Sequence, residues 1–597
     1  MVIMKKFRRF LSVALAVIML LSVFPFVGNN SGLFPSARAI TSSGAGNNLK
    51  WSIDSNGTLE ISGTGNMYYF SIVQGAVYQI TPPWYDKRGS VKKIVICDGV
   101  TEIGNYAFYG CSNAETVEIA GSVKKIGKKA FSGCCSVSEL NFNSGLEEIG
   151  EYAFENCDAL INVALPGTLK AVSDGSFFSC EKLEAINLPE NLETLGNKAF
   201  FGCSSLKAVT IPGSVKVIGD KVFYQCYALA SLTLCEGVEE IGDEAFRKCG
   251  ALKAVSLPKS LISVGQSAFI NCGSLEEVLV SGKTVIGDSA FKSCDSLSSL
   301  TLSEGVETIG KEAFSGCAIE SLVLPKTVKT IGDAAFMNCT SLKSIENNAE
   351  ITNFGILVFY ATKWLDEYPD NVVYLGDILY AIKGDFSKTS LTVKDGTRLI
   401  AGSACNNLTS LEKVSLPSSV EIIGKYAFYN CSSLTSVTLS RNVVSVEQQA
   451  FANCSAMTDI TIFNPSCAIY DAESTLPADA VITSFENSTA QQYALTYSRQ
   501  FRAHTHTFTE SDYTPPTCTQ SGELISICVC GETSISVIPE LGHNDSDGDG
   551  VCDRCSEVIC SCICHQTGFK RVIYKLIRIF WKIFGINKIC ECGISHY

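Results

Sequence analysis

The side chains best suited to chemistry are concentrated near the carboxyl end of the chain. All five histidines lie there, at positions 504, 506, 543, 565 and 596. A cysteine or serine nucleophile usually needs an imidazole base beside it, so the residues before His504 lack that partner. The adjacent acids Glu147 and Glu148 would point to opposite faces of an extended segment. The sequence therefore predicts no catalytic residues.

Cysteines near these histidines have spacings that suit a small metal or disulfide module. The pair Cys552 and Cys555 has the C-x-x-C spacing common among zinc ligands, whereas Cys528 and Cys530 form a C-x-C pair that departs from it. Zinc binding and a disulfide knuckle both fit this pattern. The candidate zinc ligands are Cys518, Cys530, His543, Cys552 and Cys555.

An acidic loop in the same region offers oxygen ligands at alternate positions. Asp545, Asp547 and Asp549 precede a glycine, as in the first half of a calcium loop, and Asp553 adds a fourth carboxylate. The twelfth position, where a calcium loop has glutamate, is Ser556. A weak calcium site and a solvated acidic turn both remain open.

These residues follow a long array of repeats. The unit at 206–228 reads LKAVTIPGSVKVIGDKVFYQCYA, and it recurs as L-x-x-V-x-L-P-x-S-V-x-x-I-G-x-x-A-F-x-x-C-x-x. A fixed period of this size predicts a solenoid. The marker phenylalanines, mostly 23 residues apart, are at 108, 131, 154, 177, 200, 223, 246, 269, 291, 314, 336, 359, 428 and 451.

Each unit is predicted to contain two short apolar segments and a tight turn. Residues 206–211 suit a short strand, which Pro212 ends because proline cannot continue the ladder. Gly219 supplies a turn where a side chain would clash or would need a positive φ. The spacing around Phe223 suits one helical turn. The predicted fold is a repeat solenoid of short parallel β-strands with one-turn helical segments, because single units cannot bury their apolar residues alone.

One cysteine occupies the same position in each unit, as Cys226 does in the unit above. Export would normally favour disulfides. A stacked column, however, supplies one thiol per coil at core depth and gives no thiol a dedicated partner. We therefore expect these cysteines to be free and to act as small buried apolar residues.

The repeat pattern resembles the treponemal, BspA-like class of bacterial leucine-rich repeats over roughly 97–463. The resemblance implies an exported, surface-displayed protein, and several members of such families are adhesins. Macromolecular binding at the bacterial cell surface is therefore the expected function. Two alternatives remain: a scaffold whose Cys/His-rich tail has a metal-dependent or sorting role, and a structural envelope protein.

Other segments complete a domain plan. Basic residues before an apolar run at 10–27, and Ala-Arg-Ala at 37–39, predict a secretory signal peptide. An Asn-Gly turn at 56–57 predicts a hairpin, and Ser488 suits a helix N-cap. The predicted segments are a signal peptide (1–39), an N-terminal β cap (40–95), the solenoid (96–463, with an insert at 360–400), a C-terminal cap (464–501), a Cys/His-rich module (502–559) and a basic amphipathic tail (560–597).

The solvent-facing strand positions are the expected partner surface. They are small, polar and of mixed charge, so they suit either a broad adhesive face or the solvated side of an ordinary sheet. Trp364, in the insert, suits either a specificity loop or a packing insert. The candidate binding residues are Lys207, Thr210, Thr233, Lys253, Ser256, Glu276, Thr301, Glu320 and Trp364.

The charge distribution separates the body from the tail. The net charge is −13, and both ends are basic by five charges, so residues 40–559 carry about −23. Such an acidic body repels phosphate backbones, which excludes nucleic acid as an expected partner. The tail at 569–586 has a basic stripe on an apolar helix pattern. It suits either contact with an anionic membrane surface or packing on the end of the solenoid.

Overall fold

A computed structural model describes residues 42–72, 81–544 and 554. The predicted signal peptide and basic tail lie outside the described residues. So do several of the predicted metal ligands, namely Asp545, Asp547, Asp549, Cys552, Asp553 and Cys555.

The repeats wind into a solenoid in which each coil contributes one strand to each of two parallel stacks. The first stack, called the long-strand face here, is formed by the L-x-x-V-x-L segments, whose Val and second Leu point into the core. Its strands are Lys93–Ile96, Thr116–Ile119, Glu139–Phe142, Asn162–Ala164, Ala185–Asn187, Ala208–Ile211, Ser231–Leu234, Ala254–Leu257, Glu277–Val280, Ser299–Leu302, Ser321–Leu324, Ser344–Asn347, Ser390–Thr392, Lys413–Ser415, Ser436–Leu439, Asp459–Ile462, Val481–Ser484 and Phe501–Ala503.

The second stack, called the short-strand sheet here, is formed by the segments that precede the Ile-Gly turn. Its first part is a continuous parallel sheet of 13 strands within the described residues. Its strands are Gly65–Asn66, Val100–Ile103, Lys125–Ile126, Glu148–Ile149, Ala171–Val172, Thr194–Leu195, Val217–Ile218, Glu240–Ile241, Ser263–Val264, Val285–Ile286, Thr308–Ile309, Thr330–Ile331, Asn353–Phe354, Leu399–Ile400, Ile422–Ile423, Ser445–Val446 and Ala468–Ile469.

The marker phenylalanines stack in the core as one ladder from Phe108 to Phe359, and Phe428 and Phe451 form a separate stacked pair. Phe223 is fully buried, and its ring lies 5.4 Å from that of Phe200 and 5.3 Å from that of Phe246, with the planes within 10° of parallel. Burial of the same ring in each coil ties neighbouring coils together through apolar contact and ring stacking. The 23-residue spacing is thus the spacing that brings equivalent rings into register.

The segment around each marker phenylalanine consists of consecutive turns, where the sequence predicted one helical turn. Lys221 and Gln225 have φ values of 57° and 62°, in the left-handed region. The backbone N–H of Phe223 donates to the carbonyl of Ala245 in the next coil at 2.7 Å. The N–H groups of Lys221, Phe223 and Gln225 donate to the next coil, whereas those of Tyr224 and Cys226 donate within the coil, so alternate N–H groups are satisfied between coils.

The glycine of the Ile-Gly turn is required by close packing of backbones. A Cβ atom on Gly219 would lie 2.8 Å from the amide nitrogen of Asn197 and 2.9 Å from the carbonyl carbon of Gly196. Gly219 does not have a positive φ. Of the two reasons that the sequence left open for this glycine, steric exclusion by the preceding coil is therefore the correct one.

Acidic and amide side chains after these glycines link each coil to the next. The Asn197 side chain accepts from the Asp220 N–H at 2.7 Å, and the Asp220 carboxylate accepts from the Asp243 N–H at 2.8 Å. Asp243 continues the series by accepting from the Gln266 N–H at 2.7 Å. Each bond satisfies a turn N–H that no strand or helix partner reaches.

The amino-terminal end is covered by an antiparallel sheet of Ser42–Gly46, Leu49–Ile53 and Thr58–Gly63. The hairpin predicted around the Asn-Gly turn is present, with Ile53 opposite Leu59. A 3₁₀ helix at Tyr85–Ser90 follows. Before it, Trp84 is buried, stacks 5.5 Å from Phe108 and donates from Nε1 to the Ala107 carbonyl at 2.7 Å. The first coil therefore does not expose its core.

The insert contains a short helix, Lys363–Asp366, and an antiparallel hairpin of Val372–Leu375 and Ile378–Ile382. The second strand of this hairpin pairs in parallel with Leu399–Ile400, so the solenoid continues through the insert. Near the other end, helix Thr489–Thr496 begins at the predicted N-cap. The Ser488 hydroxyl accepts from the Gln491 N–H at 3.2 Å.

Beyond the last coil, a three-stranded antiparallel sheet is formed by Phe508–Thr514, Gly522–Cys528 and Thr533–Ile538. We call it the carboxyl-terminal sheet. Across residues 42–72, 81–544 and 554, none of the helices has the length and apolar character needed to cross a bilayer.

Candidate binding face and candidate metal centre

The long-strand face presents eight of the predicted binding residues to solvent. Thr210 lies directly opposite Thr233 in the next strand, and Leu279 lies between Ser256 and Thr301 in the same row. The charged residues form a second row, one position after the leading leucine of each strand. The exposed members are Lys207, Thr210, Thr233, Lys253, Ser256, Glu276, Thr301 and Glu320.

Charged residues of the second row pair with one another between coils. Lys207 and Glu184 form an ion pair with N–O distance 2.5 Å, and Lys343 and Glu320 form one of 3.7 Å. Both pairs are well exposed, and exposed pairs of this kind contribute little to stability. These charges are therefore available to a partner at little cost to the fold.

Trp364 lies among the aromatic residues of the insert. Its ring is half-buried and lies 5.5 Å from Phe359, 5.6 Å from Tyr380 and 5.7 Å from Tyr368. These edge-to-face contacts fill the space that the insert leaves against the core. Packing accounts for this tryptophan without any ligand.

A second, half-buried aromatic stack escaped the sequence analysis. Phe178 and Phe201 stack at 4.7 Å, Phe201 and Tyr224 stack at 4.8 Å, and the Arg247 guanidinium lies 5.5 Å from the Tyr224 ring. Each of these aromatic residues directly follows a marker phenylalanine, which is the signal that could have identified them. Their faces cover one another, so the stack stiffens the coils and leaves only ring edges for a partner.

The repeat cysteines are free, buried thiols, as predicted. The Sγ atom of Cys226 donates to the Phe200 carbonyl at 3.3 Å, and the same bond recurs in other coils. Burial raises the pKa of Cys111 to about 12, and it raises the pKa of Cys226 well above the usual range. These thiols are therefore poor nucleophiles, and their role is to fill the core.

The candidate metal ligands of the described region are arranged differently from the sequence prediction. Cys530 lies with Cys528, His504 and His506, and the four ligand atoms all lie within 4.8 Å of one another. Three of these four residues were not among the predicted ligands. Cys518 is buried elsewhere in the carboxyl-terminal sheet region. Its predicted grouping with His543, Cys552 and Cys555 stays a prediction.

A tight turn positions the two cysteines of this cluster. The Gly531 N–H donates to the Cys528 carbonyl at 2.8 Å, and the Cys528 N–H donates to the Glu532 carbonyl at 2.8 Å. Gly531 has a φ of +86°, which favours glycine. A hydrogen bond from the Cys530 backbone N–H is the main reason that the pKa of Cys528 falls to about 6. The turn thus favours a thiolate at position 528.

Family comparison agrees with the repeat pattern. A model described as the BspA type leucine rich repeat region matches residues 79–207, 170–285, 279–379 and 379–474. No curated protein matches the chain.

Solved structures with the same kind of repeat are also similar to the chain. A leucine-rich repeat protein from Bacteroides ovatus is 28% identical over 54% of this chain and 95% of its own, with a TM-score of 0.40. A leucine rich cell surface protein from Faecalibacterium prausnitzii is 21% identical over 74% of this chain and 97% of its own, with a TM-score of 0.25. Since the family match extends over more than half of the sequence, the chain belongs to the BspA type leucine-rich repeat family.

Proposed function

We propose that this protein is a surface-displayed bacterial binding protein whose long-strand face contacts another macromolecule, and that it is not an enzyme. The observation that carries this proposal is the face itself. Side chains at equivalent positions recur once per coil on a rigid stack of strands, where they form straight rows. A broad polar surface of fixed geometry suits a protein or cell-surface ligand better than it suits a small molecule.

The charge of the body supports a protein-like or cell-surface partner over a polyanion. Residues 40–559 carry about −23 charges. On the face, however, lysines and glutamates are both present, as at Lys253 and Glu276 in neighbouring coils, where the Glu276 N–H donates to the Lys253 carbonyl at 2.7 Å. Mixed charge of this kind gives specificity through complementary pairs and steers encounter.

Display at the cell surface is part of the same proposal. A signal peptide at 1–39 would export the chain, and the basic tail at 569–586 would hold it at an anionic membrane surface. The tail would be attracted by about 1 kcal/mol for each lysine or arginine near the lipid. Vesicle flotation of the full chain and of residues 1–559, with and without anionic lipid, tests this part separately. Equal flotation of the two proteins would contradict it.

The binding proposal is tested with the full chain against immobilised extracellular matrix proteins and intact bacterial cells. We expect saturable binding to at least one surface. Reversing the face charges in K207E/K253E should weaken that binding by about tenfold or more, since a loss of 1.4 kcal/mol is tenfold in Kd. The matched control is K216E, at an exposed lysine beside the short strand Val217–Ile218, and it should bind normally. Equal loss in both variants would contradict the assignment of the face.

A further inference from the structure

The cluster at the end of the solenoid has the composition of a metal site. We propose that His504, His506, Cys528 and Cys530 bind one Zn²⁺ ion, and that this ion fastens the carboxyl-terminal sheet to the last coil. Two imidazoles and two thiolates are a ligand set that structural zinc sites use. All four ligand atoms already lie within 4.8 Å of one another.

The distances fit tetrahedral zinc. The Cys528 Sγ lies 3.4 Å from the His504 Nε2, and the Cys530 Sγ lies 3.4 Å from the His506 Nδ1. A tetrahedral ion with Zn–S bonds of about 2.3 Å and Zn–N bonds of about 2.0–2.1 Å places neighbouring sulfur and nitrogen atoms about 3.5 Å apart. Two sulfur–nitrogen edges of the tetrahedron therefore already have their required length.

The ligands come from two different parts of the fold. His504 and His506 follow the final strand of the long-strand face, Phe501–Ala503, which pairs with Val481–Ser484. The His504 N–H continues that pairing by donating to the Ser484 carbonyl at 2.7 Å. The cysteines lie on the turn that ends strand Gly522–Cys528 of the carboxyl-terminal sheet. An ion held by all four side chains would therefore link the solenoid to that sheet.

Neighbouring side chains hold His504 and Cys530 in place. The His504 ring packs against Phe463 at 5.0 Å and against Phe485 at 5.3 Å. From the solenoid side, the Arg441 guanidinium lies 3.8 Å from the Cys530 Sγ. Arg441 also pairs with Glu532, next to the cysteine turn. Such outer contacts orient metal ligands and tune their affinity.

Burial of the thiols favours a structural ion over a Cys–His catalytic pair. Cys528 and Cys530 are 1% and 3% exposed, so a substrate would not reach either sulfur. A disulfide between these cysteines would not use the two imidazole nitrogens that face the sulfurs. A single zinc ion uses all four groups at once.

Zinc stoichiometry of the purified full chain tests the proposal. The number of zinc ions per chain, measured by mass spectrometry after dialysis, should fall by one in H504A/H506A and by one in C528S/C530S. The matched control C97S/C135S removes two thiols of the solenoid and should retain the wild-type number. An unchanged count in both ligand variants would overturn the proposal. A disulfide between Cys528 and Cys530 in the purified chain would also overturn it.

A variant that should fold and still bind the metal distinguishes loss of a ligand from loss of zinc through misfolding. His506 is exposed, so the H506C variant should fold and retain its ion with three thiolates in place of two. With Co²⁺ in place of Zn²⁺, its thiolate-to-cobalt charge-transfer absorption should rise above that of the wild type. No change in that band would mean that residue 506 does not contact the metal, and the proposed ligand set would be wrong.

Discussion

Replacing Phe223 with alanine removes one ring from the middle of the core ladder. The ring is fully buried, and it stacks on Phe200 and on Phe246. Deleting a buried phenylalanine side chain costs about 3–5 kcal/mol. Each of the two lost ring contacts is worth about 0.5–1.5 kcal/mol beyond buried area. We therefore expect Phe223→Ala to lower the free energy of unfolding of the surrounding coils by about 4–5 kcal/mol, the upper half of the first range.

The assay must show which coils are destabilised, because repeats couple mainly to their nearest neighbours. Hydrogen exchange of the full chain should show faster exchange in peptides of the coils from Phe200 to Phe246, with little change near Trp84 or Phe451. Chemical denaturation should give a broad or stepwise transition that begins at lower denaturant. The control is Tyr227→Ala in the same coil, whose ring is 49% exposed, and this change should cost within about 0.5 kcal/mol. A cost below about 0.5 kcal/mol for Phe223→Ala would refute the ladder.

Further substitutions and labelling test other parts of the fold. Thiol labelling of the native chain near neutral pH, mapped by peptide, should modify exposed Cys135 and spare Cys226, because burial raises the pKa of Cys226. After denaturation without reductant, most repeat cysteines should become labelled. Widespread disulfide pairing would contradict the column of free thiols. Gly219→Ala should cost about 1–3 kcal/mol by overpacking, whereas Gly250→Ala, whose Cβ would meet no atom within 4 Å, should be neutral or slightly stabilising in the same denaturation assay. Ser488→Ala should cost about 1 kcal/mol through loss of the helix cap, and an unchanged midpoint would show that the cap is dispensable.

The fold could be predicted because one signal was repeated many times. Each unit has the same apolar positions, so the period alone leads to stacked coils and a buried ladder at positions such as Phe223. The Asn-Gly hairpin and the helix after Ser488 were also predictable, because local turn and cap chemistry decides both. In these places local preference and tertiary packing agree.

The details that depend on contacts between coils could not be predicted from one unit. The turns around Lys221 are stabilised by hydrogen bonds to the next coil. The apolar spacing within one unit fits a helical turn, so it does not reveal the left-handed φ values of these turns. The side-chain ladder through Asp220 has the same origin. Both features arise from stacking, which a single 23-residue pattern does not contain.

The metal centre was only partly predictable for a different reason. Spacing rules look for ligands that are close in sequence, and they rank C-x-x-C above C-x-C. The cluster instead joins His504 and His506 to a pair of cysteines 24 residues away. Parallel pairing of Phe501–Ala503 with Val481–Ser484 fixes the backbone from which the histidines extend. The sequence did not reveal where strand Phe501–Ala503 lies, and the positions of the two histidines depend on it.

Hydrogen-exchange mapping of the full chain, free and bound to a surface protein that it captures, tests whether the long-strand face is the binding surface. We expect protection in successive long strands, such as Ala208–Ile211, Ser231–Leu234 and Ala254–Leu257, at 23-residue intervals. The short strands beside them, such as Val217–Ile218 and Glu240–Ile241, should exchange as in the free chain. Protection confined to the short-strand sheet, or to residues 502–544, would contradict the claim that the long-strand face is the binding surface.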